Sequence, residues 1–404
     1  MFISKRILCR TFQLSFRAAL PILPYREPRL LPSCDRISEA FTKHKPSAVL
    51  IVTTAGTEKR GLIAPIVAAL TAEGIGYAIY NKTQPDPTVA NVEEALALYR
   101  EHGCEALIAV GGGSVIDCAK GVGARVAYPK KSLNRMAGVM RVLRRIPTLI
   151  AVPTTAGTGS EVTLAAVITD DETHRKYAIM SFPLIPHYAV LDPALTFTLP
   201  PHLTATTGMD ALTHAVEAYV GRSTTKKTRR LALEATALIF GSIKAAYDDG
   251  QDREARERML RASYLAGVSF SMSYVGYVHA IAHSVGGRYG VAHGLANAVI
   301  MPYVLKAYGK SAHKKLHRLA VAAGVATEAD SHAEGAEKFI AAIRAMNADM
   351  GIPTVIDGIL AEDIPALAAR AAGEGNPLYP VPKLMNAEEL MPIYRAIAGD
   401  TAML

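Results

Sequence analysis

The feature that most constrains the fold is an alternation of short apolar runs with longer helical stretches in the first half of the chain. The strand-like runs cover residues 48–53, 76–80, 106–110 and 148–152. The helical stretches cover residues 60–73, 88–102 and 114–125. Because consecutive parallel strands must be joined by a crossover, usually a helix, this alternation predicts an α/β unit with a parallel sheet covered by helices.

The texture of the sequence changes near residue 197, after which long apolar-periodic helices follow one another without a convincing strand. Before this boundary we predict a hairpin at residues 162–180, around TDDETHRK, and a last strand within residues 189–201. A chain of 404 residues exceeds what one core usually serves, so two domains are expected. The predicted division is an N-terminal extension at 1–26, an α/β domain at 27–197 and an all-α domain at 198–404.

A glycine-rich turn follows the third apolar run, in the segment ALIAVGGGSVIDCAKGVG at residues 106–123. Glycines at such a junction let the backbone approach a ligand, and the free N–H groups of the first helical turn attract phosphate. Gly112, Gly113 and Ser114 are therefore candidates for binding a dinucleotide pyrophosphate. Because the turn lacks the GxGxxG order of the usual fingerprint, a purely structural strand-to-helix turn is the alternative interpretation.

The next apolar run leads into a second loop, in TLIAVPTTAGTGSEVT at residues 148–163. Small hydroxyl side chains in this loop can hydrogen-bond phosphate, ribose or carboxamide groups; they are Thr154, Thr155, Thr158 and Ser160. Two such loops at consecutive strand ends predict a nucleotide-binding crevice.

Acidic and imidazole side chains recur at helical spacing in the second half of the chain. Asp210 and His214, in GMDALTHAVEAY, are four residues apart, which on a helix places them on one face about 5–6 Å apart. His279 and His283 have the same spacing, and His293 follows in the next loop. Carboxylate and imidazole groups are ligands for Fe²⁺, Zn²⁺, Ni²⁺ or Co²⁺. Each histidine alone is more simply a packed or surface residue, so the prediction of a metal site depends on the whole set.

The combination of motifs resembles the iron-containing, or group III, alcohol dehydrogenase family over roughly residues 25–404. The motifs occur in the family's order: GGGSVIDCAK at 111–120, PTTAGTGSEVT at 153–163, TGMDALTHAVEAY at 207–219, and HxxxH with AHG at 279–294. The resemblance implies the dehydroquinate synthase-like architecture, in which an α/β nucleotide-binding domain precedes an all-α metal-binding domain. It also implies a homodimer and a reaction site in the cleft between the domains.

The resemblance assigns roles residue by residue. Four residues match the family's metal ligands: Asp210, His214, His279 and His293. His283 matches the histidine that faces the nicotinamide and the substrate, where it relays a proton or only shapes the pocket. Lys176 matches a lysine near the nicotinamide ribose. The other cofactor-contacting positions are matched by Gly112, Gly113, Ser114, Thr154, Thr155 and Thr158.

Two departures from familiar members concern the cofactor. Thr54 stands where NAD-specific relatives have an aspartate that would repel a 2′-phosphate, and Lys59 and Arg60 follow closely. Either NAD or NADP could therefore be the cofactor. The alternative is that the two basic residues are only surface residues of the next helix. Asp86, in QPDPT, stands where some relatives have asparagine, and it either borders the nicotinamide or caps the helix that begins near Thr88.

These residues predict a metal-dependent oxidoreductase that transfers a hydride between NAD or NADP and a primary or secondary alcohol or aldehyde. The family implies Fe²⁺, whereas the ligand types alone also admit Zn²⁺ or another divalent metal. One alternative is a metal- and NAD-dependent lyase of the dehydroquinate synthase type, which needs a basic cluster for a phosphorylated substrate; near the metal motifs only Arg288 is basic. The other alternative is a catalytically retired scaffold with a membrane-surface helix.

The first 26 residues carry five of the eight net positive charges, which leaves +3 on the remainder. No basic stripe interleaved with aromatic residues follows, so a nucleic-acid partner is not expected. Wound as a helix, residues 3–20 form a basic amphipathic segment, which predicts docking onto the body or peripheral membrane contact through residues 1–24, with mitochondrial import less favoured. Four scattered cysteines without CxxC spacing fit a reducing compartment, and we expect a cytoplasmic enzyme.

Overall fold

The computed structural model describes residues 3–172 and 175–400. The chain divides into two compact units. The α/β unit covers Pro24–Leu199, and the helical unit joins the residues before Pro24 to those from Pro200 onward. The N-terminal extension therefore groups with the helical unit.

All strands of the described residues lie before residue 191, and helices form most of the remainder. The helices are α1 (Ile3–Ala19), α2 (Ala55–Lys59), α3 (Ala64–Ala72), α4 (Val89–Glu101), α5 (Gly113–Ala127), α6 (Pro201–Val220), α7 (Lys226–Asp248), α8 (Arg253–Ser273), α9 (Tyr277–Tyr289), α10 (His293–Tyr308), α11 (His313–Ala322), α12 (His332–Asp349), α13 (Ile364–Gly375) and α14 (Ala387–Ile397). The strands are β1 (Arg29–Leu31), β2 (Ala48–Val52), β3 (Gly76–Tyr80), β4 (Ala106–Gly111), β5 (Gly138–Val139), β6 (Thr148–Pro153), β7 (Ala165–Thr169), β8 (Lys176–Met180) and β9 (Tyr188–Val190).

A six-stranded sheet of parallel strands forms the centre of the α/β unit, in the order β1-β9-β6-β4-β2-β3. Successive side chains of β2 enter opposite cores: Leu50 and Val52 pack with α4 and α5, whereas Val49 and Ile51 pack with α3. Both faces of the sheet are covered, which explains why its inner strands are apolar at almost every position. The predicted α/β architecture with a parallel sheet is confirmed.

A second sheet of three strands has the order β5-β8-β7. Its strands β7 and β8 pair antiparallel, with Ala165 opposite Met180 and Thr169 opposite Lys176, as expected for the predicted hairpin. Residues 173 and 174, at the tip of that hairpin, lie outside the described residues.

Two element boundaries in the α/β unit differ from the sequence prediction. The helix predicted at 60–73 begins only at Ala64, because a turn through Gly61, with φ of 71°, separates α2 from α3. The strand predicted within 189–201 is limited to β9. Asp192 accepts a hydrogen bond from the Ala194 N–H and so caps a short 3₁₀ helix at Pro193–Thr196, which ends the extended backbone.

The helical unit is built around α6, which packs against α7, α8 and α10. Fifteen of the 20 residues of α6 are buried, so this helix has no solvent face of the usual width. Close packing requires Gly208, because a Cβ there would lie 2.6 Å from Ile243 Cδ1. A central helix of this kind can present polar side chains to an enclosed site.

The helix α1 packs one face against the helical unit and leaves the other exposed. Cys9 and Gln13 are buried, whereas Ile3, Ile7 and Leu14 are between 60 and 77 % exposed. Among the described residues, no single helix has both the length and the apolar composition to cross a bilayer; α8 and α9 meet that test only when joined across a bend of 100°.

Candidate metal centre and nucleotide loops

The four predicted metal ligands converge in the helical unit. Asp210 and His214 lie one turn apart on α6, His279 lies in the first turn of α9, and His293 begins α10. One donor atom from each residue lies within 4.8 Å of the others. The start of α10 approaches α6 closely because residue 294 is glycine; a Cβ there would lie 2.5 Å from the Thr206 carbonyl oxygen.

This donor set fits a divalent cation. Asp210, His214 and His279 are at most 5 % exposed, and only His293 faces solvent. Burial, together with the neighbouring histidines, holds the pKa of His279 well below its usual range, so its imidazole is neutral and keeps a lone pair for a metal. Three neutral imidazoles and one carboxylate leave a divalent ion with net positive charge, and they suit iron or zinc.

Glu217 orients His279 from behind. Its Oε2 accepts hydrogen bonds from His279 Nδ1 at 2.6 Å and from the Gly276 N–H at 2.7 Å, and its Oε1 accepts one from the Val278 N–H at 2.7 Å. With Nδ1 bonded to the carboxylate, Nε2 of His279 is the atom left for a cation. Burial raises the pKa of Glu217 to about 8, against the three hydrogen bonds that lower it. No sequence motif singled out Glu217, although it stands one turn after His214.

Asn297 is a second residue of the site that no sequence motif indicated. It is fully buried on α10, one turn after His293. Its Nδ2 donates to Asp210 Oδ1 at 2.7 Å and lies 3.1 Å from His293 Nε2 and 3.3 Å from His279 Nε2. Its Oδ1 has no hydrogen-bond partner among the described residues. The amide therefore borders the donor atoms and ties the Asp210 carboxylate to α10.

His283 lies beside the four donors and is oriented by a different carboxylate. Its Nδ1 donates to Glu374 Oε1 at 2.6 Å, and its ring centroid is 5.3 Å from that of His293. Desolvation by the surrounding protein lowers the pKa of His283, but the charge and hydrogen bond of Glu374 outweigh it and raise that pKa above its ordinary value. The side chain is 41 % exposed, so Nε2 can exchange protons with solvent.

The glycine-rich turn of the α/β unit links the end of β4 to α5. Gly112 is the N-cap of α5, without a side-chain cap, so the first N–H groups of a 15-residue helix point outward. A Cβ on Gly113 would lie 2.8 Å from Thr158 Cγ2, whereas a Cβ on Gly112 would lie 3.4 Å from Thr155 Oγ1. Glycine 113 therefore lets the hydroxyl-rich loop after β6 pack directly against this turn. The structure brings together the two loops that the sequence predicted as a nucleotide crevice.

Thr154 and Ser160 differ from the other hydroxyl residues of that loop because both are buried. The Ser160 hydroxyl donates to Asp117 Oδ1 at 2.6 Å and accepts from Lys120 Nζ at 2.9 Å. Burial lowers the pKa of the fully buried Lys120 to about 8, and it raises the pKa of Asp117. The Ser160 side chain thus belongs to an internal polar network that shapes the loop from beneath.

Of three further predicted cofactor residues, Thr54 and Asp86 follow strands β2 and β3 of the six-stranded sheet, and Lys176 begins β8 of the second sheet. Thr54 follows β2 and caps α2, because its Oγ1 accepts a hydrogen bond from the Thr57 N–H at 3.1 Å. Asp86 has φ of 55°, and its N–H donates to Ser114 Oγ at 3.2 Å. Its carboxylate pairs with Lys176 Nζ at 2.7 Å. Asp86 does not cap the following helix, since Thr88 caps α4 in a capping box with Asn91.

Comparisons with known proteins cover nearly the whole chain. Residues 32–193 match the family model described as iron-containing alcohol dehydrogenase, and residues 204–398 match the model for the C-terminal part of that family. The 1,3-propanediol dehydrogenase of Klebsiella pneumoniae is 38 % identical over 350 residues, which cover 86 % of this chain and 90 % of that protein. Alcohol dehydrogenase 4 of Saccharomyces cerevisiae strain YJM789 is 40 % identical over 355 residues, or 87 % and 90 % of the two chains.

Solved structures agree with these sequence matches. A crystal structure of a 1,3-propanediol oxidoreductase superimposes with a TM-score of 0.88 at 36 % identity, covering 92 % of this chain and 98 % of that one. An alcohol dehydrogenase from Oenococcus oeni gives a TM-score of 0.87 at 34 % identity, covering 92 % and 99 %.

Proposed function

The chain belongs to the iron-containing alcohol dehydrogenase family, and from that premise we propose that it transfers a hydride between a nicotinamide dinucleotide and a primary or secondary alcohol or aldehyde. The observation that carries the proposal is the convergence of one carboxylate and three imidazoles within 4.8 Å in the helical unit. The names of relatives, such as 1,3-propanediol dehydrogenase, lactaldehyde reductase and NAD-dependent methanol dehydrogenase, favour a small alcohol as substrate.

We assign the cation to Asp210, His214, His279 and His293. A divalent metal bound there would supply Lewis-acid polarisation of the alcohol or carbonyl oxygen. The protein contributes the geometry: Glu217 fixes the Nε2 of His279 as a donor, and Asn297 fixes the Asp210 carboxylate. Iron is the family's metal, and zinc satisfies the same donors.

We assign His283 the transfer of the proton that the reaction releases or consumes. Oxidation of an alcohol by NAD(P)⁺ yields the carbonyl compound, NAD(P)H and one proton, and that proton has to leave the site. Because Nδ1 of His283 already donates to Glu374, its Nε2 is the atom that accepts the proton from the substrate side and passes it to solvent. In the reducing direction the same atom returns a proton to the product oxygen.

We assign binding of the dinucleotide to the α/β unit. The N–H groups at Gly113 and Ser114, at the start of α5, suit the pyrophosphate, and the hydroxyls of Thr155 and Thr158 suit the adjacent phosphate or ribose oxygens. The ion pair of Lys176 with Asp86 places a cation and a carboxylate beside this turn. The proposal locates the reaction where the nicotinamide meets the cation.

The dinucleotide itself is NAD or NADP. Thr54 carries no charge that would repel a 2′-phosphate, and the exposed Lys59 and Arg60 stand nearby in the sequence. Steady-state rates with both dinucleotides measure the preference directly. Thr54→Asp is expected to lower the use of NADP relative to NAD, because it restores a carboxylate against the 2′-phosphate.

The test of the proposed function is alcohol-dependent reduction of NAD or NADP by the purified, Fe²⁺-loaded protein, run over a panel of small alcohols. His279→Ala should lose both the bound cation and the activity. His283→Gln should keep the cation and lose most of the turnover. His44→Ala, which changes an exposed histidine, serves as the control. Absence of turnover by the wild-type protein with every alcohol and both dinucleotides would refute the proposal.

A lyase of the dehydroquinate synthase type is not favoured. Such an enzyme needs basic side chains for a phosphorylated substrate, and Arg288 donates instead to Asp363 Oδ2 at 2.9 Å. A scaffold without catalysis is not favoured either, because the complete ligand set is in place.

We also infer a peripheral contact of α1 with anionic membrane surfaces, and a homodimer as the assembly. The helix α1 carries both apolar and basic side chains that are exposed, namely Ile3, Ile7, Leu14, Lys5, Arg6 and Arg17. Co-sedimentation with anionic vesicles should weaken in Ile7→Gln and not in Ser15→Gln.

For the proposed homodimer, light scattering should give twice the chain mass of 43.1 kDa. The four cysteines are free and buried, which supports a cytoplasmic location.

A further inference from the structure

We propose that α1 is a positioning element for the reaction site: through Gln13 and Tyr379 it fixes the carboxylate of Glu374 and thereby the ring of His283. The inference rests on the proposed function insofar as His283 acts on the substrate. It concerns a segment that precedes residue 32, the first residue matched by the family model. Four contacts connect α1 with the segment that orients the histidine.

The first contact joins Gln13 to the segment after α13. Gln13 is only 3 % exposed. Its Nε2 donates hydrogen bonds to the Tyr379 carbonyl at 2.7 Å and to the Pro377 carbonyl at 3.3 Å. Its side-chain Oε1 accepts a hydrogen bond from Arg10 Nη1, and its backbone carbonyl accepts one from Ser223 Oγ at 3.1 Å. A buried amide with both ends engaged specifies one orientation of α1 on this segment, because leaving either end unpaired is costly.

The second contact comes from Arg10, one turn earlier. Its Nη1 donates to Gln13 Oε1 and to the Val381 carbonyl, both at 2.7 Å, and its Nη2 donates to the Pro382 carbonyl at 3.0 Å. One charged guanidinium therefore clamps the far end of the same segment. With Gln13 it fixes the backbone on both sides of Tyr379.

The third contact is aromatic and reaches the helix that carries the site histidines. The ring of Phe16 meets Tyr274 edge-on at a centroid distance of 4.9 Å, and Tyr274 lies 6.3 Å from Tyr379. Tyr274 joins α8 to α9 with φ of 62°, which is unfavourable for a residue with a bulky side chain. Phe16 therefore packs against the residue that lies three positions before α9 begins.

The fourth contact joins Tyr379 to His283 through the carboxylate of Glu374. Tyr379 Oη donates to Glu374 Oε1 at 2.7 Å, and His283 Nδ1 donates to the same oxygen at 2.6 Å. Because one carboxylate oxygen accepts from both, a shift of Tyr379 moves the acceptor that orients the imidazole. His283 is thus supported from α1, although no residue of α1 belongs to the reaction site itself.

The test is Gln13→Ala in the full-length protein, with Leu14→Ala as the matched control on the exposed face of the same helix. Gln13→Ala should lower kcat by on the order of 10-fold, because a small misplacement of a catalytic group is costly. The KM for the dinucleotide and the cation content should stay unchanged, since the residues assigned to both make no contact with Gln13. Leu14→Ala should match the wild type in all three. Gln13→Glu, which keeps the acceptor for Arg10 and loses the amide donor, should reproduce the loss if Gln13→Ala does not fold.

A double-mutant cycle with Tyr379→Phe separates this route from general destabilisation. If α1 acts through Tyr379, Gln13→Ala should lower kcat no further in the Tyr379→Phe background. The proposal would be overturned if Gln13→Ala lowered kcat by the same factor in the wild-type and Tyr379→Phe backgrounds. A wild-type kcat in Gln13→Ala or Gln13→Glu would also overturn it. Should the wild type turn over alcohol and His283→Gln fail while both Gln13 variants remain fully active, this inference falls and the proposed function stands. A wild type without turnover would overturn the proposed function instead.

Discussion

Two histidines on α9, four residues apart, each donate Nδ1 to a buried or half-buried carboxylate and keep Nε2 for chemistry. His279 uses Glu217 on α6, and His283 uses Glu374 at the end of α13. The same device therefore serves two different roles, one toward a cation and one toward a proton. Which role each imidazole takes depends on its neighbours: His279 is enclosed by the other donors, whereas His283 opens to solvent.

The first prediction separates these two carboxylates. Glu217→Gln should weaken cation binding by about 10- to 100-fold, because an outer residue that orients a metal-ligating histidine has an effect of that size. Glu374→Gln should leave the cation affinity unchanged and lower kcat. Competition with a chromophoric chelator measures the first quantity, and steady-state kinetics the second. Equal cation affinity in both variants would contradict the assignment of Glu217.

A second prediction concerns Asn297. Asn297→Ala should weaken cation binding by about 10-fold, since the Asp210 carboxylate loses the donor that fixes it. Asn347→Ala is the matched control: it removes another buried asparagine, whose Nδ2 donates to the Ala298 carbonyl on the same helix α10. That variant should lower the thermal stability and leave the chelator titration unchanged.

At this scale the sequence predicts the residues whose type and spacing both suit a metal ligand. It misses residues that orient other side chains: Glu217 and Asn297 each stand one turn from a ligand, and Glu374 is distant in the sequence. Asp210 and His214 are one helical turn apart, so their shared face follows from the sequence. Glu374 comes 91 residues after His283, and no periodicity connects the two. The roles given to the cofactor residues stay predictions, because they depend on a ligand.

Among the elements, the glycine turn and the hydroxyl loop of the α/β unit depend on one close approach. The third prediction is that Gly113→Ala raises the Kd for the dinucleotide by roughly 10-fold, since the added Cβ forces Thr158 away and overpacking of this kind costs about 1–3 kcal/mol. Gly241→Ala on α7, where an added Cβ would meet no described atom within 4 Å, is the control and should bind as the wild type does. Fluorescence titration with the dinucleotide measures both. Equal affinities would show that Thr158 has no part in the site.

The fourth prediction concerns pH and the connection between β6 and β9. His187 Nδ1 accepts a hydrogen bond from the Leu149 N–H at 3.1 Å, and burial, with Arg26 and Arg145, lowers the pKa of His187 to about 4. The unfolded chain therefore binds more protons than the folded one between pH 4 and the ordinary value of about 6.5. Stability is lost as the pH falls through this window, by up to about 3 kcal/mol from this group.

His187→Asn tests this prediction, because its side-chain oxygen accepts the same bond without titrating. Urea unfolding at pH 7 and pH 4.5 should show a smaller loss of stability in the variant than in the wild type. An identical loss in both proteins would assign the acid sensitivity to other groups.

Periodicity predicts the strands closely and the helix starts less well. Strands buried on both faces are continuous apolar runs, so β2, β3, β4 and β6 begin where the sequence indicates. The start of α3 depends instead on the conformation of Gly61, which a window of hydrophobicity cannot register. The end of β9 likewise depends on a cap by Asp192.

For the molecule as a whole, the division into two units predicts separate responses to two ligands. The fifth prediction is that a chelator lowers the unfolding temperature of the helical unit, whereas excess dinucleotide raises that of the α/β unit. A cation present at about 1,000 times its Kd stabilises the folded state by about 4 kcal/mol. Scanning calorimetry measures both shifts, and Asp210→Asn should abolish the response to chelator alone. A chelator that shifts neither transition would contradict a bound cation.

The architecture at this scale follows from the sequence because alternation and its loss at residue 197 are long-range patterns. The position of the N-terminal segment in the fold does not follow from the sequence. Its helical pattern is compatible with docking, membrane contact or import, and only the hydrogen bonds of Arg10 and Gln13 distinguish the first.

The contacts of α1 have a consequence for how the chain is made. Arg10 bonds the Val381 carbonyl 371 residues further on, so α1 is synthesised long before the segment that it contacts. Until that segment has been made, the inner face of the nascent helix lacks the carbonyl groups to which Arg10 and Gln13 donate.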